Sequence, residues 1–289
     1  MILQLLLLKG MTRKMIYIRE FRPSERKVDH PNLYPYNVLS GKFSEPLEFE
    51  PITILYGSNG SGKSTILNIL ANMLQLDGAE EYHYGQIYID RFSEESSILM
   101  AFNEYGYPCK IPENGRYIKS EDMLYEIKKI QQEEALENGY LYEAYKKGMD
   151  VEALRDELYD MYGLTPKGKK IFNALAFQQE KYSNGETSLQ LFEDFLQPDG
   201  LYLLDEPEVS LSLQSQAKLS DMLNQMARFF NCQFIIATHS PIMLAQLNGK
   251  IYDFDKSLVQ RANWYELENV KFMYRFFMKH KNVFDDNPI

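Results

Sequence analysis

The chain has 289 residues, 45% of them hydrophobic and 25% charged, enough for one large α/β domain with an insertion or two small domains, and unlike a globally disordered chain. Its net charge of −10 argues against a molecule dedicated to nucleic acid, although a local basic groove is compatible with it. The two cysteines, Cys109 and Cys232, have no metal-ligand spacing and make no disulfide framework, so the cytoplasm is the default compartment.

Met1–Leu8 is apolar but lacks a basic leader region and a small-residue cleavage site, and is too short to cross a bilayer. With Met11 and Met15 just downstream, residues 1–14 read either as a leader from an upstream start or as an extra edge strand, ahead of a single domain over 15–289. No other segment suits a membrane. Residues 15–22 read as a strand, and 23–46, rich in Pro, Asn, Tyr and Ser, as irregular with short strands. A strand at 52–56 leads into a glycine loop. Ser64–Leu76 follows as a helix with Ile66, Leu67, Ile69, Leu70 and Leu74 on its apolar face. Residues 85–92 and 97–103 alternate and fit a hairpin or small antiparallel sheet, with Tyr117-Ile118 a third strand. From Glu121 to about Gly163 the pattern is helical and charged, so a short helical insertion is expected over about 121–170. Residues 187–196 and 212–230 read as helices, and 201–204 and 234–237 as buried strands. Buried strands alternating with helices predict an α/β fold with a central, mostly parallel sheet, here with an antiparallel β subdomain.

The glycine loop is Gly57-Ser58-Asn59-Gly60-Ser61-Gly62-Lys63-Ser64-Thr65. Glycine, four residues, glycine, lysine, then serine or threonine is the spacing of a phosphate-binding P-loop. Backbone N–H groups wrap the phosphates, glycines allow the close approach, and the following helix turns its positive end toward the anion. ATP is therefore the expected ligand, cradled by Ser58, Asn59, Gly60, Ser61, Gly62, Lys63, Ser64 and Thr65. Lys63 supplies a point charge near the β- and γ-phosphates, and the Ser64 hydroxyl is a ligand for Mg²⁺.

Leu201-Tyr202-Leu203-Leu204-Asp205-Glu206 places two carboxylates at the end of a buried strand, facing the ligand crevice of a parallel sheet. Asp205 suits the Mg²⁺ shell, and Glu206 suits a general base that polarises water. His239 ends the next buried strand, within reach of a γ-phosphate or that water. Lys63, Glu206 and His239 are thus the candidate catalytic set, with Ser64 and Asp205 the candidate metal ligands.

With these residues in view, the chain resembles the ABC-class ATPases, four motifs standing in that family's order. Gly57–Thr65 resembles Walker A, and Tyr182-Ser183-Asn184-Gly185-Glu186 resembles the signature motif. Leu203–Pro207 resembles Walker B, followed by a D-loop at Glu208–Ser212, and Ala237–Pro241 resembles the switch-histidine loop. Asn184 and Ser212 depart from the family's usual residues. The family's glutamine switch has no clear counterpart, with Glu121 or Gln86 as candidates, and Tyr34 or Tyr36 could stack on adenine. Within the class the soluble SMC, RecF and OLD branch, with its small stand-alone bacterial ATPases, is the better match. The resemblance implies hydrolysis in an ATP-sandwich homodimer, with Ser183 and Gly185 acting in trans on the partner copy's nucleotide. The acidic charge and the absence of a second catalytic set favour a regulatory or sensor role toward a protein effector, such as a nuclease or toxin of a phage-defence operon. The alternatives are a DNA repair or recombination ATPase that binds nucleic acid and, less well matched, a transporter motor.

Overall fold

The computed structural model describes residues 16–28, 32–80, 86–120, 184–209 and 211–286. The expectations for residues 1–14, for the insertion at 121–170 and for Ser183 and Glu121 lie outside the described residues. Two compact units are present. The first comprises residues 1–119, 197–208 and 216–289, and the second 120–196 and 209–215.

The first unit is built on a six-stranded sheet. β3 (Ile52–Tyr56), β5 (Arg116–Lys119), β6 (Leu201–Asp205), β7 (Gln233–Ala237) and β8 (Lys250–Asp253) lie in the order β5-β6-β7-β3-β8, all parallel, with β9 (Gln260–Ala262) antiparallel at the β8 edge. Every residue of β3, β6 and β7 is buried, as a parallel strand covered on both faces requires. The sheet order puts β7 between β3 and β6. Their C-terminal ends share one edge, so the glycine loop, Glu206 and His239 leave the sheet side by side.

The second sheet of this unit is antiparallel, in the order β2-β1-β4, with β1 (Ile18–Arg22), β2 (Leu47–Glu48) and β4 (Ser97–Met100). α1 (Tyr36–Leu39) is one helical turn, and α2 (Lys63–Met73) packs on β5, β6 and β7. The core joins Phe21, Leu39 and Leu47 to Leu55, Ile66, Ile69, Leu70, Phe92, Leu203 and Ile235.

Three local expectations change. Residues 86–95 are a helix, α3, rather than half of a hairpin. Ile87 and Ile89 alternate in sequence, but Ile87 is exposed while Ile89 and Phe92, three apart, are buried. Gln86 bonds Asp90 and Arg91 pairs with Glu95, both at the i,i+4 spacing of a helix. Tyr117-Ile118 belongs to β5, the parallel edge of the large sheet, because Tyr117 and Ile118 register with Leu203 and Leu204. Between residues 23 and 46 the described residues hold no strand; the ordered piece is α1.

α4 (Asn184–Phe195) belongs to the second unit and buries Leu191 and Phe192. In the first unit, α5 (Leu213–Phe229, whose first turn falls in the second unit's range) precedes β7. α6 (Pro241–Gln246) starts from Ser240, whose hydroxyl accepts from Met243 N with Pro241 in the first turn. α7 (Glu268–Lys279) and α8 (Lys281–Asp286) follow a 3₁₀ turn at Trp264–Glu266. Among the described residues no helix is long and apolar enough to cross a membrane. Cys232 is buried, and burial pushes its thiol up to about 11, so it packs as an apolar group.

Candidate functional site

The loop after β3 needs its glycines for geometry. Gly60 has φ +79°, and Gly62, the N-cap of α2, has φ +103°. A Cβ on Gly62 would also fall 2.8 Å from Leu39 Cδ2. Only glycine meets both demands. Lys63 is buried, and its ammonium donates to the Gly57 carbonyl at 2.6 Å and the Ser58 carbonyl at 3.1 Å. This fixes the charge at the mouth of the loop.

The sequence-predicted residues of the two motifs meet. Ser64 Oγ donates to Asp205 Oδ1 at 3.1 Å, joining the first turn of α2 to the end of β6. The other carboxylate oxygen of Asp205 accepts from the Tyr117 hydroxyl at 3.1 Å. Burial raises the Asp205 pKa, the hydrogen bonds from Ser64 and Tyr117 oppose that rise, and the Glu206 carboxylate reinforces it. Two hard oxygen ligands 3.1 Å apart, one an aspartate beside a phosphate loop, fit a magnesium ion.

Glu206 turns away from β6 with φ +48°, a conformation that costs about 1–3 kcal/mol for a non-glycine residue and often marks a functional site. Its N–H donates to the Ala237 carbonyl at 2.8 Å, which pins the turn against the end of β7. His239 Nδ1 then lies 3.7 Å from Glu206 Oε1 and 3.5 Å from Glu208 Oε1. Glu208 is buried. Its Oε1 accepts from the Thr238 hydroxyl at 2.7 Å, from His239 N at 2.9 Å and from Ser240 N at 3.2 Å. The histidine loop is thus held from behind by the second carboxylate after β6.

Sequence reasoning missed several neighbours. Asp255, beyond β8, accepts from both Ser58 N and Ser58 Oγ at 2.7 Å. Lys42 donates to the Ser61 carbonyl at 2.6 Å and the Phe254 carbonyl at 3.3 Å, and burial lowers its pKa. Asn269, the second residue of α7, donates its side-chain amide to the His239 carbonyl. These contacts come from distant parts of the chain and leave no local spacing to read. Tyr117 carried a weak signal, since it lies two residues before the end of a strand beside β6.

The two tyrosines considered for adenine differ. Tyr36 is in the core, its ring edge-on to Phe92 and its hydroxyl donating to Glu95 at 2.8 Å, so it does not present a stacking face. Tyr34 donates to the Thr65 hydroxyl at 3.1 Å, beside the loop helix. Gln86 is exposed on α3, with its amide bonded to Asp90. Gly185 lies in the first turn of α4, in the second unit.

The family model described as "AAA domain, putative AbiEii toxin, Type IV TA system" matches residues 84–245. That span covers more than half of the chain and includes the ends of β6 and β7. It begins beyond the glycine loop, so the loop is independent evidence for the same chemistry. The zinc import ATP-binding protein ZnuC of Hydrogenovibrio crunogenus is 23% identical over 226 residues, 78% of this chain and 76% of that protein. A nucleotide-free ATP-binding cassette from an ABC transporter aligns with a TM-score of 0.44 at 14% identity, over 89% of this chain and 99% of that one. The Smc head domain of Pyrococcus furiosus, bound to the C-terminal domain of ScpA, aligns with a TM-score of 0.42 at 13% identity, over 90% and 99%.

Proposed function

This chain belongs to that AAA-domain family and is a P-loop ATPase, and from that premise we propose that it is a regulatory ATPase that closes into an ATP-sandwich homodimer to control a protein effector. The observation that carries the catalytic part is the hydrogen bond from Ser64 to Asp205, with Glu206 and His239 side by side at the same sheet edge.

In this reading the loop N–H groups of residues 58–65 and the Lys63 ammonium bind the phosphates. Ser64 and Asp205 would hold Mg²⁺, whose charge offsets that of the β- and γ-phosphate oxygens. Glu206 accepts a proton from the attacking water, and His239, steadied by Glu208, orients that water against the γ-phosphate. Ser183 and Gly185 act on the nucleotide held by a second copy, so each site is completed in trans. The net charge of −10 supports a protein effector over nucleic acid. The family's description as a toxin of a toxin–antitoxin system supports a role in defence. At 23% identity, the likeness to a zinc-import ATPase passes on no cargo.

Glu206→Gln removes the base while keeping its size and hydrogen-bonding oxygen. Turnover should fall by at least about a hundredfold, the lower end of the range for loss of a general base, and light scattering should show ATP with Mg²⁺ lowering the concentration at which this variant self-associates. A monomer under saturating ATP and Mg²⁺ would overturn the sandwich. Salt-dependent binding of this variant to duplex DNA would replace the protein effector with nucleic acid.

A further inference from the structure

α7 is an amphipathic helix whose apolar face has no cover among the described residues. Phe272 is 63% exposed, Phe276 49%, Phe277 48% and Met273 37%, and at 3.6 residues per turn these four fall on one arc. Val270 at the edge of that arc is the buried residue that seats the helix. The rings already gather on one another: Phe276 lies 5.6 Å from Phe277 and 4.9 Å from His280, and Phe277 lies 6.2 Å from Phe284 of α8. Trp264, Tyr265 and Tyr274 are also exposed nearby in sequence. The four phenylalanines, half uncovered at roughly 200 Å² each, leave roughly 400 Å² of aromatic surface on this side of α7 and α8. A contiguous apolar patch of a few hundred Å² is the size that marks an interaction site, and this one is about half of the roughly 800 Å² that each partner buries in a stable complex.

We propose that this face pairs α7 with α7 of a second copy, antiparallel about a two-fold axis, to form a dimer that needs no nucleotide. Charge placement selects that occupant. Glu268 is at the N-terminal end of α7, and Lys271, Arg275 and Lys279 follow on the same flank. Lys271 and Arg275 are within 3.4 and 3.7 Å of Glu268 in the same helix, whereas Lys279 has no ion-pair partner among the described residues. In an antiparallel pair like flanks face each other and the ends exchange, so Lys279 meets the partner's Glu268 at both ends. The same two-fold puts Phe272 and Met273 opposite the partner's Phe276 and Phe277. A parallel pair would instead turn the Lys279 flank toward the partner's other flank, that of Val270 and Tyr274, and away from Glu268. An anionic membrane would meet the same basic flank, but it would also repel a chain of net charge −10.

The test is the mass of the full chain in chelator, without nucleotide, at micromolar concentration, by light scattering or sedimentation. Those conditions separate it from the ATP sandwich. The wild-type chain should be a dimer. Phe272→Lys with Phe276→Lys, both on the exposed face, should weaken association by at least about thirtyfold with the far-UV spectrum unchanged. Glu268→Lys and Lys279→Glu should each weaken it a few-fold, and the two together should recover it. A wild-type monomer, a dimer untouched by the double lysine variant, or charge swaps that do not recover would each overturn the proposal. Cosedimentation of a monomeric wild-type chain with phosphatidylserine vesicles would give the helix to a membrane instead.

Discussion

Burial holds the Asp205 carboxyl above the ordinary aspartate value of 3.8, even though Ser64 and Tyr117 both donate to it. With its folded pKa above the unfolded one, the group binds more protons in the folded state between those two values. Stability therefore falls as pH climbs through that window, and above it the ionised Asp205 carries the penalty of its burial. Asp205→Asn should raise the Tm of the nucleotide-free protein at pH 7 in chelator, by roughly 2–4 °C per kcal/mol relieved, while abolishing turnover. The gain should shrink as pH falls toward the aspartate range. A variant no more stable than wild type at pH 7 would show that the two hydroxyl donors fully offset the burial. Glu208 illustrates a different use of a buried carboxylate. One oxygen collects three hydrogen bonds from the histidine loop, so Glu208→Ala orphans up to three donors at about 1–3 kcal/mol each, less whatever water restores. Because Glu208 acts through His239, it is a positioning residue. Glu208→Ala should lower kcat roughly tenfold or more with little change in KM, and Glu208→Gln, which keeps the accepting oxygen, should recover most of the loss. If Gln were as poor as Ala, the charge opposite His239 would matter more than the geometry.

At the level of elements, the β3–loop–α2 unit could be read from sequence because its demands are local: an apolar strand, glycines where φ turns positive, and an amphipathic helix begun by Lys63. The ends of β6 and β7 were legible for a related reason. Short fully apolar runs followed by Asp205-Glu206 or Thr238-His239 leave few other places for charge. α3 was misread because Ile87 and Ile89 mimic a strand, and only the burial of Ile89 with Phe92 reveals the helical period. The supports of the site escaped notice because they act across the fold. Tyr117 reaches Asp205 over 88 residues, Asp255 reaches Ser58 over 197, and Asn269 reaches back 30 residues to the His239 carbonyl. Sequence spacing records a contact only when both partners share an element or a tight turn. α7 broke the usual rule from the other side. Its aromatic arc looks like core material, yet in this chain it faces outward.

Across the first unit, side chains stitch the antiparallel and parallel sheets together: Tyr252, Lys250 and Arg261 reach Glu48 of β2, and Gln233 holds the start of β1. Gln233, in β7, is fully buried, and its carbonyl oxygen accepts from Tyr17 N at 2.7 Å and Ile18 N at 3.0 Å. Its amide nitrogen donates to the Ile18 carbonyl at 2.8 Å and the Glu50 carbonyl at 3.3 Å. A glutamine is the residue that can do this, since one planar group presents two acceptor sites and two donors. The start of β1 and the entry to β3 both depend on it, and with them the strand that leads into the glycine loop. Gln233→Leu fills the space but strands up to four backbone groups, a loss of roughly 3–6 kcal/mol at about 1–3 kcal/mol per orphan after partial relief by water. Gln233→Glu keeps the acceptors, loses both donations and buries a charge, so at pH 7 it should be at least as damaging. Protonation gives the glutamate one donor and removes its charge, so its deficit should narrow on acidification while that of the leucine variant does not. Urea midpoints at two pH values measure the difference. Hydrogen exchange at Ile18 should quicken more than at Leu203 in both variants, because β1 loses its tie to the sheet while β6 keeps its neighbours. Equal acceleration at the two sites would mean that Gln233 contributes only to global stability and does not join the sheets.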